Sequence, residues 1–107
     1  MTQQQQPALE TFIFDLDGTL LNSQHQLSAT TIAALLHLRA NNARLLLATG
    51  RHMTDVRGYV QQLGGGIAAI SCNGANIHDE NGELIYRQAL SADYNVPLLQ
   101  FGLEHQV

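Results

Sequence analysis

The stretch whose reading decides the fold is Phe12 to Leu21, FIFDLDGTLL. A short apolar run, Phe12 to Phe14, stops at two aspartates, Asp15 and Asp17, with only Leu16 between them. Gly18 and Thr19 then break the extended pattern, and Leu20 and Leu21 restore apolar character. A buried strand gains no stability from ending in carboxylates. Burying one unpaired is costly, and two neighbours repel each other. A cation, chemistry or both would account for the pair. A turn or helix cap accounts for Asp-Gly alone, but not for the whole stretch.

Working outward, Leu9 to Phe14 is a strand, and its contiguous apolar residues predict burial on both faces, as in a parallel sheet. Ser28 is placed as a helix N-cap, with Leu27 and Ile32 at the hydrophobic-staple positions. Ile32, Leu35, Leu36 and Arg39 keep helical spacing, and Asn41-Asn42 is a plausible stop. Leu45 to Ala48 form a second buried strand ending at Thr49-Gly50-Arg51. A second helix is expected from about Met53 to Leu63, closed by Gly64 to Gly66, which reads as a helix stop and not as a nucleotide loop. Ile67 to Ser71 is a third strand, ending at Cys72-Asn73-Gly74. Ile77 to Arg87 reads as a hairpin about a two-residue Asn81-Gly82 turn. A last helix spans Ala92 to His105, although Pro97 suits only a helix start.

This alternation is the βαβαβ pattern of an open parallel α/β sheet. Right-handed crossovers set the three strands side by side, with their C-terminal ends along one edge. Ligands bind at that edge in such folds. All three strands end there in polar, glycine-containing stretches: DLDGT, TGRH and CNGAN.

The bulk composition narrows the function. The chain has 107 residues, 45% hydrophobic and 13% charged, which is one small domain with a core. Its formal net charge of −4 argues against nonspecific binding to nucleic acid or an anionic membrane. The five basic residues are all arginine: Arg39, Arg44, Arg51, Arg57 and Arg87. Cys72 is the single cysteine, which excludes an intrachain disulfide and fits a reducing cytoplasm. No apolar run is long enough to span a membrane, and no signal peptide is evident. Gln3 to Gln6 and Pro7 read as a disordered tail.

Asp15, ending a buried strand, can bind a divalent cation through oxygen or attack an electrophile. Asp17, two residues on, returns to the same side of an extended chain and can hold or release a proton. Thr49 offers a hydroxyl, and Gly50 a backbone N–H beside a helix start, which is a natural anion site. Together these groups suggest phosphoryl transfer assisted by Mg²⁺.

FIFDLDGTLL closely resembles the first motif of the haloacid dehalogenase superfamily. ATGRH, residues 48–52, resembles its second motif. SCNGANIHDENGEL, residues 71–84, resembles the segment after the third strand in the Cof-like branch, where a hairpin precedes a large inserted cap domain. The resemblance covers residues 10 to 105 or so and is similar to bacterial phosphatases of pyridoxal phosphate, sugar phosphates or related phosphomonoesters. It implies a Rossmann-like, three-layer α/β fold with a parallel sheet, here incomplete, plus the β-hairpin. It divides the chain into a tail (1–9), the N-terminal part of the core domain (10–90) and the start of a cap (91–107).

By position, the resemblance implies that Asp15 is the nucleophile and Asp17 the general acid, then base. Mg²⁺ would sit on the Asp15 carboxylate and the Asp17 backbone carbonyl. The Leu16 backbone, Thr49 and Gly50 would hold the phosphoryl group, and Asn73 and Arg51 would line the substrate end. The partner is then a small phosphorylated metabolite, and the location cytoplasmic.

Two departures qualify this. The family uses a lysine in its third motif to balance phosphate charge, and this chain has none. Nothing after Asp93 resembles the acidic motif that completes the Mg²⁺ site. The chain therefore reads as the N-terminal part of a phosphatase. In the family's sheet the first strand is central; without later strands Phe12 to Phe14 becomes an exposed apolar edge, and dimerisation or aggregation is expected. An inactive piece that at most binds Mg²⁺ or self-associates is the alternative. A phosphoaccepting receiver is disfavoured because it also requires a lysine.

The histidines (His25, His37, His52, His78 and His105) lack metal-ligand spacing. His37 and His105 suit surface positions, and His52 could touch substrate. Cys72 reads as a small buried thiol and not a nucleophile. Arg51 can pair with Asp55 four residues on or orient its own loop.

Overall fold

The computed structural model describes residues 10–106. The tail at 1–9 and Leu9 of the expected first strand lie outside the described residues. Five strands form one sheet in sequence order: β1 (Thr11–Phe14), β2 (Arg44–Ala48), β3 (Ala68–Ser71), β4 (Asn76–His78) and β5 (Leu84–Arg87). β1, β2 and β3 are parallel, and β4 and β5 follow antiparallel. The helices are α1 (Ala29–Ala40), α2 (Met53–Gln62) and α3 (Ala92–His105).

The register explains the core. Phe12 lies opposite Leu45, Phe14 opposite Leu47, and Leu47 opposite Ala69, so these residues share one face. Phe12 and Phe14 stack along that face, 6.2 Å between ring centroids. Successive right-handed crossovers in one direction put α1 and α2 on the same side. The face is packed there with Leu35 of α1, Met53 and Val56 of α2, and Leu63 and Ile67 beyond it. Arg39 of α1 donates to the Leu63 carbonyl (2.7 Å), tying the end of α2 to its neighbour.

The opposite face carries Ile13, Leu46, Ala48 and Ile70, none of which is buried. Ile13 is 59% exposed. This corrects the expectation that β1 is buried on both faces. β1 is an edge strand covered on one side, and alternation in a strand sends Ile13 to the uncovered side.

α1 begins as expected: the Ser28 hydroxyl accepts from the Thr31 N–H (3.1 Å). α2 ends one residue before the expected Leu63, and β3 starts one residue after Ile67. The hairpin differs more. Its strands are joined through Asp79–Glu83, not by a two-residue turn. The Asp79 N–H donates to the Glu83 carbonyl (2.8 Å), leaving a three-residue loop inside that pair. The Asp79 carboxylate accepts from the Asn81 and Glu83 N–H groups, and Gly82 takes the left-handed φ of +81°. A turn followed by a left-handed glycine is the favoured three-residue connection.

α3 has the expected bounds, with Pro97 inside it and none of its residues buried. Tyr94, Val96, Leu98, Leu99, Phe101 and Leu103 are exposed along it. No helix among the described residues is long and apolar enough to cross a membrane.

Candidate active site

The ends of the three parallel strands converge as expected. Asp15 follows β1, Thr49 and Gly50 follow β2, and Asn73 and Gly74 follow β3; with Ala48 and Ile70 they line one crevice of about 320 Å³. Backbone hydrogen bonds fix the loops to one another. Thr49 N–H donates to the Ile70 carbonyl (2.9 Å), Asn73 N–H to the Thr49 carbonyl (3.1 Å), and Cys72 N–H to the Arg51 carbonyl (2.9 Å). The loops after β2 and β3 are therefore bonded directly to each other.

Each predicted residue can be placed. The Asp15 carboxylate is exposed and accepts from the Leu16 N–H at 2.7 Å. Leu16 itself is fully buried and anchors a wide turn, Leu16–Leu20, closed by the Leu21 N–H on the Leu16 carbonyl (2.9 Å). Thr49 is buried, and its Oγ1 accepts from the Arg51 N–H (3.0 Å). That oxygen still has a proton to donate toward a ligand. Gly50 lies against Asn73: a Cβ at position 50 would stand 2.9 Å from Asn73 Oδ1. As placed, the approach leaves no room for a Cβ unless the exposed Asn73 side chain moves.

Asp17 and Arg51 are not among the crevice-lining residues. Arg51 donates from Nε to Asp17 Oδ2 (2.7 Å) and from Nη2 to Asp17 Oδ1 (2.9 Å). The Arg51 guanidinium also lies over the Tyr59 ring, 5.7 Å from its centroid. His25 Nδ1 stands 3.4 Å from Asp17 Oδ1. The guanidinium hydrogen bonds lower the Asp17 carboxyl to about 2 despite some desolvation, with smaller help from His25. The same pairing raises Arg51 above its ordinary value. Arg51 therefore pairs with Asp17 and not with Asp55.

The remaining histidines divide. His37 lies on exposed α1 surface, and His105 stacks on Phe101. His52 caps α2, its Nδ1 accepting from the Thr54 N–H (3.2 Å). Cys72 is partly buried and accepts a weak bond from Asn76 Nδ2 (3.7 Å). The Arg51–Asp17 grip, the approach of His25 and the cap at His52 were not read from the sequence. The first joins residues 34 apart, which leaves no local signal. Histidine is also outside the usual N-cap set.

A crevice across the C-terminal ends of parallel strands is the ligand site of open α/β proteins, and this chain is of that class. Residues 12–107 match the haloacid dehalogenase-like hydrolases, and the chain belongs to that family. It is 40% identical to an HMP-PP phosphatase of Klebsiella pneumoniae (strain 342) over 80 residues, 75% of this chain and 29% of that protein. It is 41% identical to an HMP-PP phosphatase of Cronobacter sakazakii over 78 residues, 73% of this chain and 29% of that protein. The structure of a haloacid dehalogenase-like hydrolase from B. subtilis superposes with a TM-score of 0.82 at 33% identity, covering 92% of this chain and 34% of that one. The chain thus spans about a third or less of the length of these relatives.

Proposed function

We propose that this chain carries the nucleophile of a phosphatase acting on small phosphomonoesters such as sugar phosphates or pyridoxal phosphate. The observation that carries the reading is the crevice shared by Asp15, Thr49, Gly50 and Asn73. An Asp15 carboxylate oxygen attacks phosphorus, and the bond from phosphorus to the ester oxygen breaks. Asp17 gives that oxygen its proton. Water then attacks the aspartyl-phosphate, with Asp17 taking a proton, and inorganic phosphate leaves. The Thr49 hydroxyl, with the Leu16 and Gly50 backbones, holds the phosphoryl oxygens, while Asn73 and Arg51 meet the rest of the substrate.

Asp17 carries no proton at neutral pH while Arg51 grips it, so acid catalysis requires the grip to loosen. Loosening alone returns Asp17 only toward 3.8; a substrate dianion that draws the guanidinium away and also sets its own negative charge beside the carboxyl raises it further.

Asp15 and the Asp17 backbone carbonyl offer oxygen donors suited to Mg²⁺. The ion would supply positive charge against the phosphoryl oxygens. Among the described residues no group of three or more His, Cys, Asp or Glu stands together, so this chain offers part of a coordination shell. Residues 10–90 are read as core and 91–107 as the start of a cap; the support is that α3 buries none of its residues. A cytoplasmic location belongs to the same proposal.

The alternative, an inactive piece that binds Mg²⁺ or self-associates, is favoured by one observation: the chain has no lysine to offset phosphate charge. Self-association would run through β1, whose Ile13 is exposed on an edge strand. Turnover of a panel of small phosphomonoesters with Mg²⁺, comparing wild type with Asp15→Asn, separates the readings. Turnover lost in the variant supports the enzyme, and no Asp15-dependent turnover supports the inactive piece.

A further inference from the structure

Two side chains reach the Asp17 carboxylate, and both lean on one aromatic residue, Tyr59 of α2. The Arg51 guanidinium, which donates to both Asp17 oxygens, lies over the Tyr59 ring, 5.7 Å from its centroid. The Tyr59 hydroxyl donates to the His25 carbonyl at 2.7 Å. The His25 imidazole in turn stands 3.4 Å from Asp17 Oδ1. Tyr59 is outside the set of residues that line the Asp15 crevice.

Each contact supplies an ordering that the surroundings do not. Asp17 is half-exposed, so packing alone does not orient its carboxylate. The two-point bond from Arg51 sets its plane. An arginine side chain has many rotamers to give up, and an aromatic face under the guanidinium narrows them. His25 sits at φ +59°, a left-handed conformation that is costly for a residue with a Cβ. Such conformations persist where neighbours fix them. The loop is closed locally by Asn22, whose Oδ1 accepts from the Gln24 and Gln26 N–H groups and whose carbonyl accepts from the His25 N–H. The Tyr59 hydroxyl then ties that loop to α2, 34 residues away in sequence.

We propose that Tyr59 is a positioning residue for Asp17: its ring seats Arg51 and its hydroxyl holds the His25 loop, so that the carboxylate is presented in one orientation. The inference rests on the reading of Asp17 as the proton-transfer residue. The seat matters most when a substrate draws the guanidinium off the carboxylate. The ring holds Arg51 through a contact that does not involve Asp17, so the guanidinium is displaced from one defined place and returns to it.

The test compares wild type with Tyr59→Leu and Tyr59→Phe. Tyr59 is half-buried against the core, so leucine keeps apolar contact there and phenylalanine keeps the ring. The first readout is the Arg51 Nε–H resonance of the 107-residue chain, identified by its loss in Arg51→Gln. In wild type it should exchange slowly with water and show cross-relaxation to the Tyr59 ring protons. Tyr59→Leu should speed the exchange about threefold to fivefold, as loss of one exposed cation–π contact implies. Tyr59→Phe should leave it within about twofold, while shifting the amide of Gln26, which adjoins the His25 carbonyl. The second readout is turnover of a small phosphomonoester with Mg²⁺. Tyr59→Leu should lower kcat about tenfold, as expected for a misaimed catalytic group, with KM changed less and Tyr59→Phe between the two. In the Arg51→Gln background Tyr59→Leu should cost less than it does alone, because it acts through Arg51. Arg51 exchange that is the same in wild type and Tyr59→Leu, a loss carried by KM alone, or an undiminished loss in the Arg51→Gln background would overturn the proposal. Absence of Asp15-dependent turnover in wild type would count against the phosphatase reading, and the Arg51 exchange would still decide the positioning.

Discussion

Arg51 grips Asp17 with two hydrogen bonds, Nε to Oδ2 at 2.7 Å and Nη2 to Oδ1 at 2.9 Å. This ties the loop after β2 to the turn after β1, beside residues that line the crevice. It also fixes the charge of the residue assigned to proton transfer. Asp17 falls from 3.8 to about 2, chiefly through the guanidinium hydrogen bonds. Removing Arg51 with Arg51→Gln should return Asp17 toward 3.8, read directly from the carboxyl carbon shift as pH is varied.

The same pairing gives a pH-dependent contribution to stability whose sign is set. A carboxyl with a depressed folded-state value stabilises the fold fully above its unfolded value and loses that contribution as protons bind. For Asp17 the loss runs from about 3.8 down through about 2. Wild type should therefore melt above Arg51→Gln at neutral pH, and the gap should close as pH falls to about 2. A gap that persists unchanged at the acid end would show that Arg51 acts through packing on Tyr59.

Gly50 separates crevice geometry from stability. An alanine Cβ would come within 2.9 Å of Asn73 Oδ1 and 3.5 Å of its Cγ. Asn73 is exposed and can swing aside, so the melting temperature should move little, under about 1 kcal/mol in equivalent stability. Phosphate handling in the crevice should fall sharply, and Asn73→Ala in the Gly50→Ala background should restore part of it. Equal losses in stability and phosphate handling would contradict this.

The two faces of the sheet should respond differently to truncation. Leu47 is 1% exposed at the centre of the covered face, so Leu47→Ala should cost about 2–5 kcal/mol in a denaturant melt. Ile13 is 59% exposed on the other face, so Ile13→Lys should leave the melt within about 1 kcal/mol. It should also raise the monomer fraction in sedimentation velocity if β1 is the contact. Unchanged association would place the contact elsewhere.

The strand–helix alternation, the cap at Ser28, the bounds of α3 and the convergence of Asp15, Thr49, Gly50 and Asn73 were legible in the sequence. Each rests on short-range patterning or on the right-handed crossover. Ile13 was misjudged because Phe12-Ile13-Phe14 reads as doubly buried wherever both faces are covered. Whether they are covered depends on what packs above, which a strand's own residues do not encode. The hairpin loop was misjudged because Asn81-Gly82 suits a two-residue turn, while the Asp79 carboxylate, accepting from two N–H groups, stabilises a longer one. Arg51 was read as pairing with Asp55, which helical spacing suggests, or as orienting its own loop. Its partner came from a different strand end, which only the folded sheet brings near.

The central claim is that Asp15 forms a covalent bond to phosphorus. The direct measurement is acid quenching of the chain during incubation with Mg²⁺ and a small phosphomonoester, followed by mass spectrometry of its peptides. One phosphoryl group is expected on Asp15, released by hydroxylamine and absent from Asp15→Asn. No phosphoryl group on any peptide, or one on a residue other than Asp15, would contradict it.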